Sequence, residues 1–106
     1  MAYLELLDIE EREPIPGYRV RFVHCGSMTL AYWDIQAGAA MPEHTHPHEQ
    51  VGSVVEGTFE MNLGGETRRI DPGTVAVIPP DVPHSGVALT HCRIIDAFHP
   101  VREDYL

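Results

Sequence analysis

Hydrophobic and polar residues alternate along most of this chain with the period of two that is typical of β-strands. In segment 59–63 the three apolar residues point to one face and the two polar residues to the other. Gly64-Gly65 then supplies the positive φ angles of a two-residue hairpin turn. Residues 1–13 fit neither a helical nor a strand period. The remaining pattern predicts eight short strands: 18–24, 28–35, 50–56, 58–63, 66–70, 75–78, 84–89 and 92–98.

Eight short strands in 106 residues indicate an all-β protein. Neither an internal repeat nor a linker divides the chain, so we expect residues 1–106 to form a single domain. No proline falls in the middle of a predicted strand, which is consistent with these assignments. The pattern alone fits both an open sandwich and a closed jelly roll.

The charge of the chain excludes several classes of function. Seven Arg and no Lys stand against 16 Asp and Glu, which gives a net charge of −9. Such a chain is a poor partner for nucleic acid or for an anionic membrane, and it cannot form a lysine Schiff base. No apolar run reaches the ~18 residues of a membrane span. The acidic N-terminal segment is unlike a signal peptide, so we expect a cytoplasmic protein in which Cys25 and Cys92 are thiols.

Histidines are concentrated where they could bind a metal. His44 and His46 are two residues apart, so an extended backbone points both side chains to one face. Gln50 has the same parity at the start of the next predicted strand, and His84 opens another strand after a proline-rich turn. Three imidazoles and one further nitrogen or oxygen donor are a suitable ligand set for a divalent transition metal.

The same residues carry a resemblance to the cupin family. The segment Gly38-x5-His44-x-His46-x3-Gln50-x6-Gly57 resembles the first cupin motif, and Gly73-x5-Pro79-x-Asp81-x2-His84 resembles the second. Three positions depart from the motifs: Gln50 replaces an acid, Asp81 a glycine and Ala88 an asparagine. The resemblance implies a jelly-roll β-barrel with one divalent transition metal (nickel, zinc, manganese or iron). It also implies the ligand set His44, His46, Gln50 and His84.

Two neighbours of Gln50 remain alternative ligands. Glu49 has the opposite parity, which points it to the other face, and Pro47 makes the direction of His48 hard to predict. With Gln50 all four ligands are neutral, so the bound ion would keep its full charge and attract an anionic group such as a substrate carboxylate. The same feature weakens the case for a dioxygenase, whose iron typically has a carboxylate ligand.

A carboxylate on the last predicted strand is the second candidate for chemistry. Strand alternation places Ile94, Asp96 and Phe98 on one face, so Asp96 points inward if Ile94 does. A buried carboxylate is costly unless it has a partner or a task. An ion pair with Arg102 or another arginine would be the structural explanation, and proton transfer the catalytic one.

The pattern Asp96-x-Phe98-x3-Arg102, with His-Pro-His-Glu-Gln at 46–50, resembles the KdgF-type cupins of pectin and alginate degradation. These enzymes convert 4,5-unsaturated monouronates into linear 5-keto-4-deoxyuronates. The resemblance implies that Asp96 is the catalytic acid/base, that Phe98 is a wall of the substrate pocket, and that Arg102 binds the substrate carboxylate during catalysis. It also implies a homodimer. Two alternatives stay open: another cupin metalloenzyme such as a dioxygenase or isomerase, and a module that binds a sugar acid without converting it.

Overall fold

The computed structural model describes residues 2–106, which form ten β-strands and two short 3₁₀ helices. The 3₁₀ helices are Leu6–Asp8 and Glu103–Tyr105. The prediction of an all-β fold is confirmed, because every predicted strand is present with each end within one residue of its expected position. The strands are β1 (Arg12–Ile15), β2 (Tyr18–His24), β3 (Thr29–Ile35), β4 (Ala40–His44), β5 (Glu49–Glu56), β6 (Phe59–Leu63), β7 (Glu66–Ile70), β8 (Val75–Ile78), β9 (His84–Ala88) and β10 (Cys92–His99).

Two strands were missed from the sequence because each contains a proline. Pro14 lies in β1 and Pro42 in β4. Both are edge strands of their sheets, where a residue without an N–H group removes no ladder hydrogen bond. Segment 1–13, which had no clear period, contains the first 3₁₀ helix and the start of β1, and its first residue lies outside the described part of the chain.

The strands form two antiparallel sheets that make up the expected jelly roll. The six-stranded sheet has the order β1-β2-β3-β10-β5-β8, and the four-stranded sheet has the order β4-β9-β6-β7. Both cysteines are unpaired thiols, with Cys25 exposed and Cys92 buried. Within residues 2–106 no helix is long and apolar enough to cross a membrane.

The hydrophobic core lies between the two sheets: most of its residues come from the six-stranded sheet, and Phe59, Ile70 and Ala88 come from the four-stranded sheet. Strands β2 and β3 bury every second residue along most of their length. Tyr18 packs edge-to-face against Trp33, with ring centroids 5.9 Å apart, and Phe22 packs against the same indole at 6.2 Å. These aromatic side chains are closely packed and form an apolar part of the barrel interior.

Strand β10 has the inward face that the sequence predicted. Its residues alternate between buried and less buried, with Ile94, Asp96 and Phe98 all pointing inward. The register with β5 sets Asp96 opposite Gly52 and Phe98 opposite Gln50. Gln50 and Asp96 are therefore neighbouring polar positions on the inner face, and they lie at the end of the barrel where the histidines converge.

Candidate metal centre

Three histidines converge where the ends of β4 and β9 meet. His44 ends β4, His84 begins β9, and the two residues face each other in the register of the sheet. His46 follows in the loop before β5. One nitrogen from each of the three side chains lies within 4.8 Å of the other two. The structure thus brings together the three predicted histidine ligands, which lie up to 40 residues apart in the chain.

Hydrogen bonds to the backbone orient all three rings in the same way. In each histidine Nδ1 donates to a carbonyl oxygen, which leaves the lone pair on Nε2. The acceptors for His44, His46 and His84 are the carbonyls of Pro42 (2.9 Å), His48 (3.0 Å) and Val82 (2.8 Å), respectively. Carbonyl oxygens that accept from Nδ1 hold an imidazole in the tautomer that metal coordination through Nε2 requires.

The donor atoms of this group fit a metal ion. Among the described residues, His84 Nε2 is buried without a hydrogen-bond partner. His46 Nε2 lies 3.0 Å from Gln50 Oε1, and both atoms carry lone pairs when His46 Nδ1 holds the proton. Burial lowers the pKa of His46 to about 4 and also lowers the pKa of His84, so both rings are neutral at neutral pH. A cation shared by these atoms would satisfy all of them.

The structure separates the three candidates for a fourth ligand. Gln50 points inward beside His46, whereas Glu49 is exposed on the other face of β5. His48 is buried, but it is not part of the three-histidine group. Its Nε2 lies 3.5 Å from a carboxylate oxygen of Glu103 near the C-terminus. The observed geometry is therefore that of three histidines with Gln50 as the adjacent oxygen donor.

The turn between β8 and β9 supports His46 from below. Asp81, which stands where the cupin motif usually has glycine, has a φ of 64°. This is the left-handed region, which aspartate tolerates better than most residues, so the backbone keeps the shape that glycine would give. The N–H of Asp81 donates to the carbonyl of His46 at 2.9 Å. The departure from the motif at Asp81 thus preserves the contact between the two loops.

Asp96 is a buried carboxyl group next to the histidines. It is 8% exposed, and burial raises its pKa to about 6, although hydrogen bonding from Gln50 and Trp33 and the charge of Arg102 act in the opposite direction. Gly52 leaves the space that this side chain occupies, since a Cβ at Gly52 would lie 2.6 Å from Asp96 Oδ1. Asp96 is therefore a buried carboxyl group with a raised pKa, in a space that exists because residue 52 is glycine.

Arg102 does not form the ion pair with Asp96 that was one explanation of this residue. Its Nε and Nη2 groups donate instead to the two carboxylate oxygens of Asp104, at 3.0 and 2.7 Å. The guanidinium carbon lies 4.6 Å from the ring centre of Phe98 and 4.8 Å from that of Tyr105. Sequence reasoning missed Asp104 and Tyr105, for which the Arg-x-Asp spacing at the end of the chain was the only signal.

The three histidines, Gln50, Asp96 and Arg102 line one cavity of about 340 Å³. Its lining includes all of the predicted site residues, and one of them, Phe98, forms part of its apolar wall. The apolar wall is completed by residues that sequence reasoning did not assign, among them Met41 and Met61. The polar lining includes His44, His46, Gln50, His84, Asp96 and Arg102, together with Glu43 and Ser85.

The family model of the cupin domain matches residues 31–98. The chain is a cupin. Its structure is similar to that of KdgF from Halomonas sp., with 32% identity, a TM-score of 0.92 and coverage of 100% of this cupin and 99% of that chain. An RmlC-like cupin from Shewanella frigidimarina has 28% identity and a TM-score of 0.93, with coverage of 100% and 96%. An uncharacterised protein from Streptomyces coelicolor is 26% identical over 89% of this cupin and 78% of its own length.

The comparisons confirm the predicted family and the resemblance to KdgF. The cupin fold and the cavity with its three-histidine group indicate a site that could hold a metal ion. When bound, a divalent ion held by His44, His46 and His84, with Gln50 beside them, would act as a Lewis acid toward oxygen atoms of a ligand. Three imidazoles and an amide are suitable ligands for nickel, zinc, manganese and iron alike, so the ligand set does not identify the metal.

Proposed function

We propose that this cupin is a metal-dependent enzyme that converts 4,5-unsaturated uronates into linear 5-keto-4-deoxyuronates. The observation that carries the proposal is a buried carboxyl group, Asp96, and a buried guanidinium group, Arg102, on the wall of the cavity that holds the three histidines. The similarity to KdgF and the pattern of residues 96–102 support it. The bound substrate is expected to be a small carboxylate.

Arg102 is suited to bind the substrate carboxylate. Asp104 occupies Nε and one N–H of Nη2, which leaves the edge formed by Nη1 and Nη2 for a second bidentate carboxylate. The surroundings of the guanidinium include the faces of Phe98 and Tyr105, where water does not compete strongly for its N–H groups. Because Arg102 lines the cavity, a uronate bound to it would lie at the cavity wall.

Asp96 is suited to move a proton within that cavity. The reaction is an isomerisation: the C1 hydroxyl loses its proton, the bond between C1 and the ring oxygen breaks to leave an aldehyde at C1, and the resulting enolate at C5 becomes a ketone when C4 gains a proton. One proton therefore leaves an oxygen and one arrives at carbon, with no redox step. A carboxyl group whose pKa is raised to about 6 can accept the first proton and donate the second.

The activity is tested by adding metal-loaded protein to an unsaturated monouronate and following the ultraviolet absorbance of the conjugated double bond. We expect absorbance to fall faster than the spontaneous rate, and a chelator to abolish the difference. Asp96→Asn should keep its metal and lose turnover. An absorbance that falls at the spontaneous rate with the metal-loaded wild type would refute the proposed reaction.

We also propose that the cupin is a homodimer that works in the cytoplasm, where the exposed Cys25 would remain a thiol. A line of uncharged side chains crosses the outer face of the six-stranded sheet in register: Leu30, Ala97, Val51 and Val77. Val51 is 39% and Val77 61% exposed. A contiguous apolar strip of this kind is typical of a contact surface.

The lack of charge on the strip itself favours a second copy of this acidic chain as its partner. On the same face, Asp34 is paired with Arg19 at 3.2 Å and with His91 at 2.8 Å, whereas Glu49, two residues before Val51, is exposed. Two chains of charge −9 repel each other least where they meet through uncharged side chains. Sedimentation velocity should show a dimer that Val77→Glu dissociates, whereas Leu7→Glu, at another exposed position, should not. A monomeric wild type would refute this arrangement.

A further inference from the structure

The C-terminal segment after β10 is docked firmly on the barrel. The backbone N–H of Arg102 donates to Oγ1 of the fully buried Thr29 at 2.9 Å. Arg12 Nη1 donates to the carbonyl of Tyr105 at 2.9 Å, and the Tyr105 ring stacks on Phe22 with centroids 4.4 Å apart. The segment thus has a defined position relative to β1, β2 and β3.

Within this segment, two side chains determine the orientation of the Arg102 guanidinium group. Asp104 binds it through two short parallel hydrogen bonds, which fix the plane and the rotation of a guanidinium more firmly than one bond does. Tyr105 presents its ring face to the same group. Among residues 2–106, no other side chain hydrogen-bonds to the Arg102 guanidinium, so its Nη1–Nη2 edge remains for a ligand.

We propose that Asp104 and Tyr105 are positioning residues that orient Arg102 for bidentate binding of the substrate carboxylate. The proposal rests on the proposed function for the identity of that carboxylate. The Arg102 side chain is only 10% exposed, so a guanidinium that rotates away from this position would lose contacts that water does not replace. Preorganisation of this kind lowers the entropy that substrate binding costs.

Charge alone predicts the opposite effect of removing Asp104, which makes the proposal testable by sign. Asp104 is an anion beside the site of another anion, so a purely electrostatic neighbour would weaken substrate binding, and its neutralisation would strengthen it. A positioning residue has the reverse effect. Asp104→Asn keeps the size of the side chain and one acceptor but removes the charge and the second acceptor.

We expect Asp104→Asn to raise KM about tenfold and to change kcat less than about threefold, because an interaction present in both ground state and transition state affects KM alone. Glu103→Gln is the matched control. It removes the same charge one residue away, from a side chain that is 66% exposed and that approaches His48 rather than pairing with Arg102. A KM that falls in Asp104→Asn, or rises equally in Glu103→Gln, would overturn the role of Asp104.

Two variants of Tyr105 test whether its aromatic ring face orients Arg102. Tyr105→Leu should raise KM about fivefold, consistent with loss of one cation–π contact. Tyr105→Phe keeps the ring and should restore the wild-type KM. If Tyr105→Phe is as impaired as Tyr105→Leu, the ring face does not position Arg102 and that part of the proposal is wrong.

A measurement that does not depend on turnover separates this proposal from the proposed function. In zinc-loaded protein labelled with ¹⁵N, relaxation of the arginine Nε–H groups reports the mobility of each side chain. We expect Arg102 to be rigid in the wild type and in Glu103→Gln, and mobile in Asp104→Asn. An Arg102 signal as mobile as that of exposed arginines in the wild type overturns the positioning role. If the protein does not convert uronates but the rigidity of Arg102 still depends on Asp104, the positioning role is supported and only the proposed reaction is refuted.

Discussion

The replacement of Gly52 by alanine tests whether the position of Asp96 matters for catalysis. Gly52 lies opposite Asp96 in the pairing of β5 with β10. A Cβ at this position would lie 2.6 Å from Asp96 Oδ1 and 3.8 Å from Asp96 Cγ, and would meet no other atom within 4 Å beyond its immediate neighbours. The substitution therefore acts on a single carboxyl group.

The size of the effect follows from this distance. Ordinary contacts of a Cβ begin at 3.4 Å, so the carboxyl oxygen must retreat by about 0.8 Å, and a misplacement of about 1 Å costs about 100-fold in rate. We therefore expect kcat for the unsaturated uronate to fall about 30- to 100-fold, which corresponds to about 2 to 3 kcal/mol of transition-state stabilisation. The metal content should not change, because no histidine of the site is within reach of the new methyl group.

The assay is the loss of ultraviolet absorbance, measured beside metal content for each variant. Gly26→Ala is a suitable control, since a Cβ there meets nothing within 4 Å. In an Asp96→Asn background, Gly52→Ala should reduce the residual rate by less than about threefold, because the two changes act on the same group. A Gly52→Ala enzyme with wild-type kcat would show that displacement of Asp96 does not limit the reaction. Loss of metal in this variant would show that the effect is not confined to Asp96.

Two further predictions concern stability. Removal of bound metal with a chelator should lower Tm by about 10 °C for a metal present at about 100 times its Kd, and His84→Ala should abolish this dependence, as measured by thermal unfolding. A Tm that ignores chelator would argue against a resident ion. Gly86→Ala should destabilise the fold by about 2 kcal/mol in urea unfolding, because its Cβ would collide with the Phe59 ring and lie 3.0 Å from the carbonyl of Glu60. An unchanged unfolding midpoint would show that the Phe59 ring moves at little cost.

Local pattern alone was sufficient to predict most of the strands. Alternation of apolar and polar residues has the same period as the side chains of a strand, so it identified β2, β3 and eventually the inward face of β10. It failed for β1 and β4 because an edge strand tolerates a proline that a central strand would not, and edge position is a property of the sheet rather than of the segment.

The candidate ligands were also predictable from the sequence, because the spacing of His44, His46 and Gln50 is short enough for local geometry to govern. The inward direction of Asp96 followed from the parity of its strand. In contrast, the partner of Arg102 was not predictable, since Asp96 and Asp104 are both acids within reach along the chain. In the folded chain the partner is Asp104, because the segment after β10 places the Arg102 guanidinium against the ring faces of Phe98 and Tyr105.

The sequence by itself determined the class of fold, the inward faces of the strands and the residue types of the candidate metal site, because alternation and motif spacing can be recognised along the chain. Only the tertiary structure decided which groups act together. The contact between Gly52 and Asp96 and the meeting of His84 with His44 depend on the register of strands that are distant in sequence. Register is a collective result of core packing, which no single segment encodes.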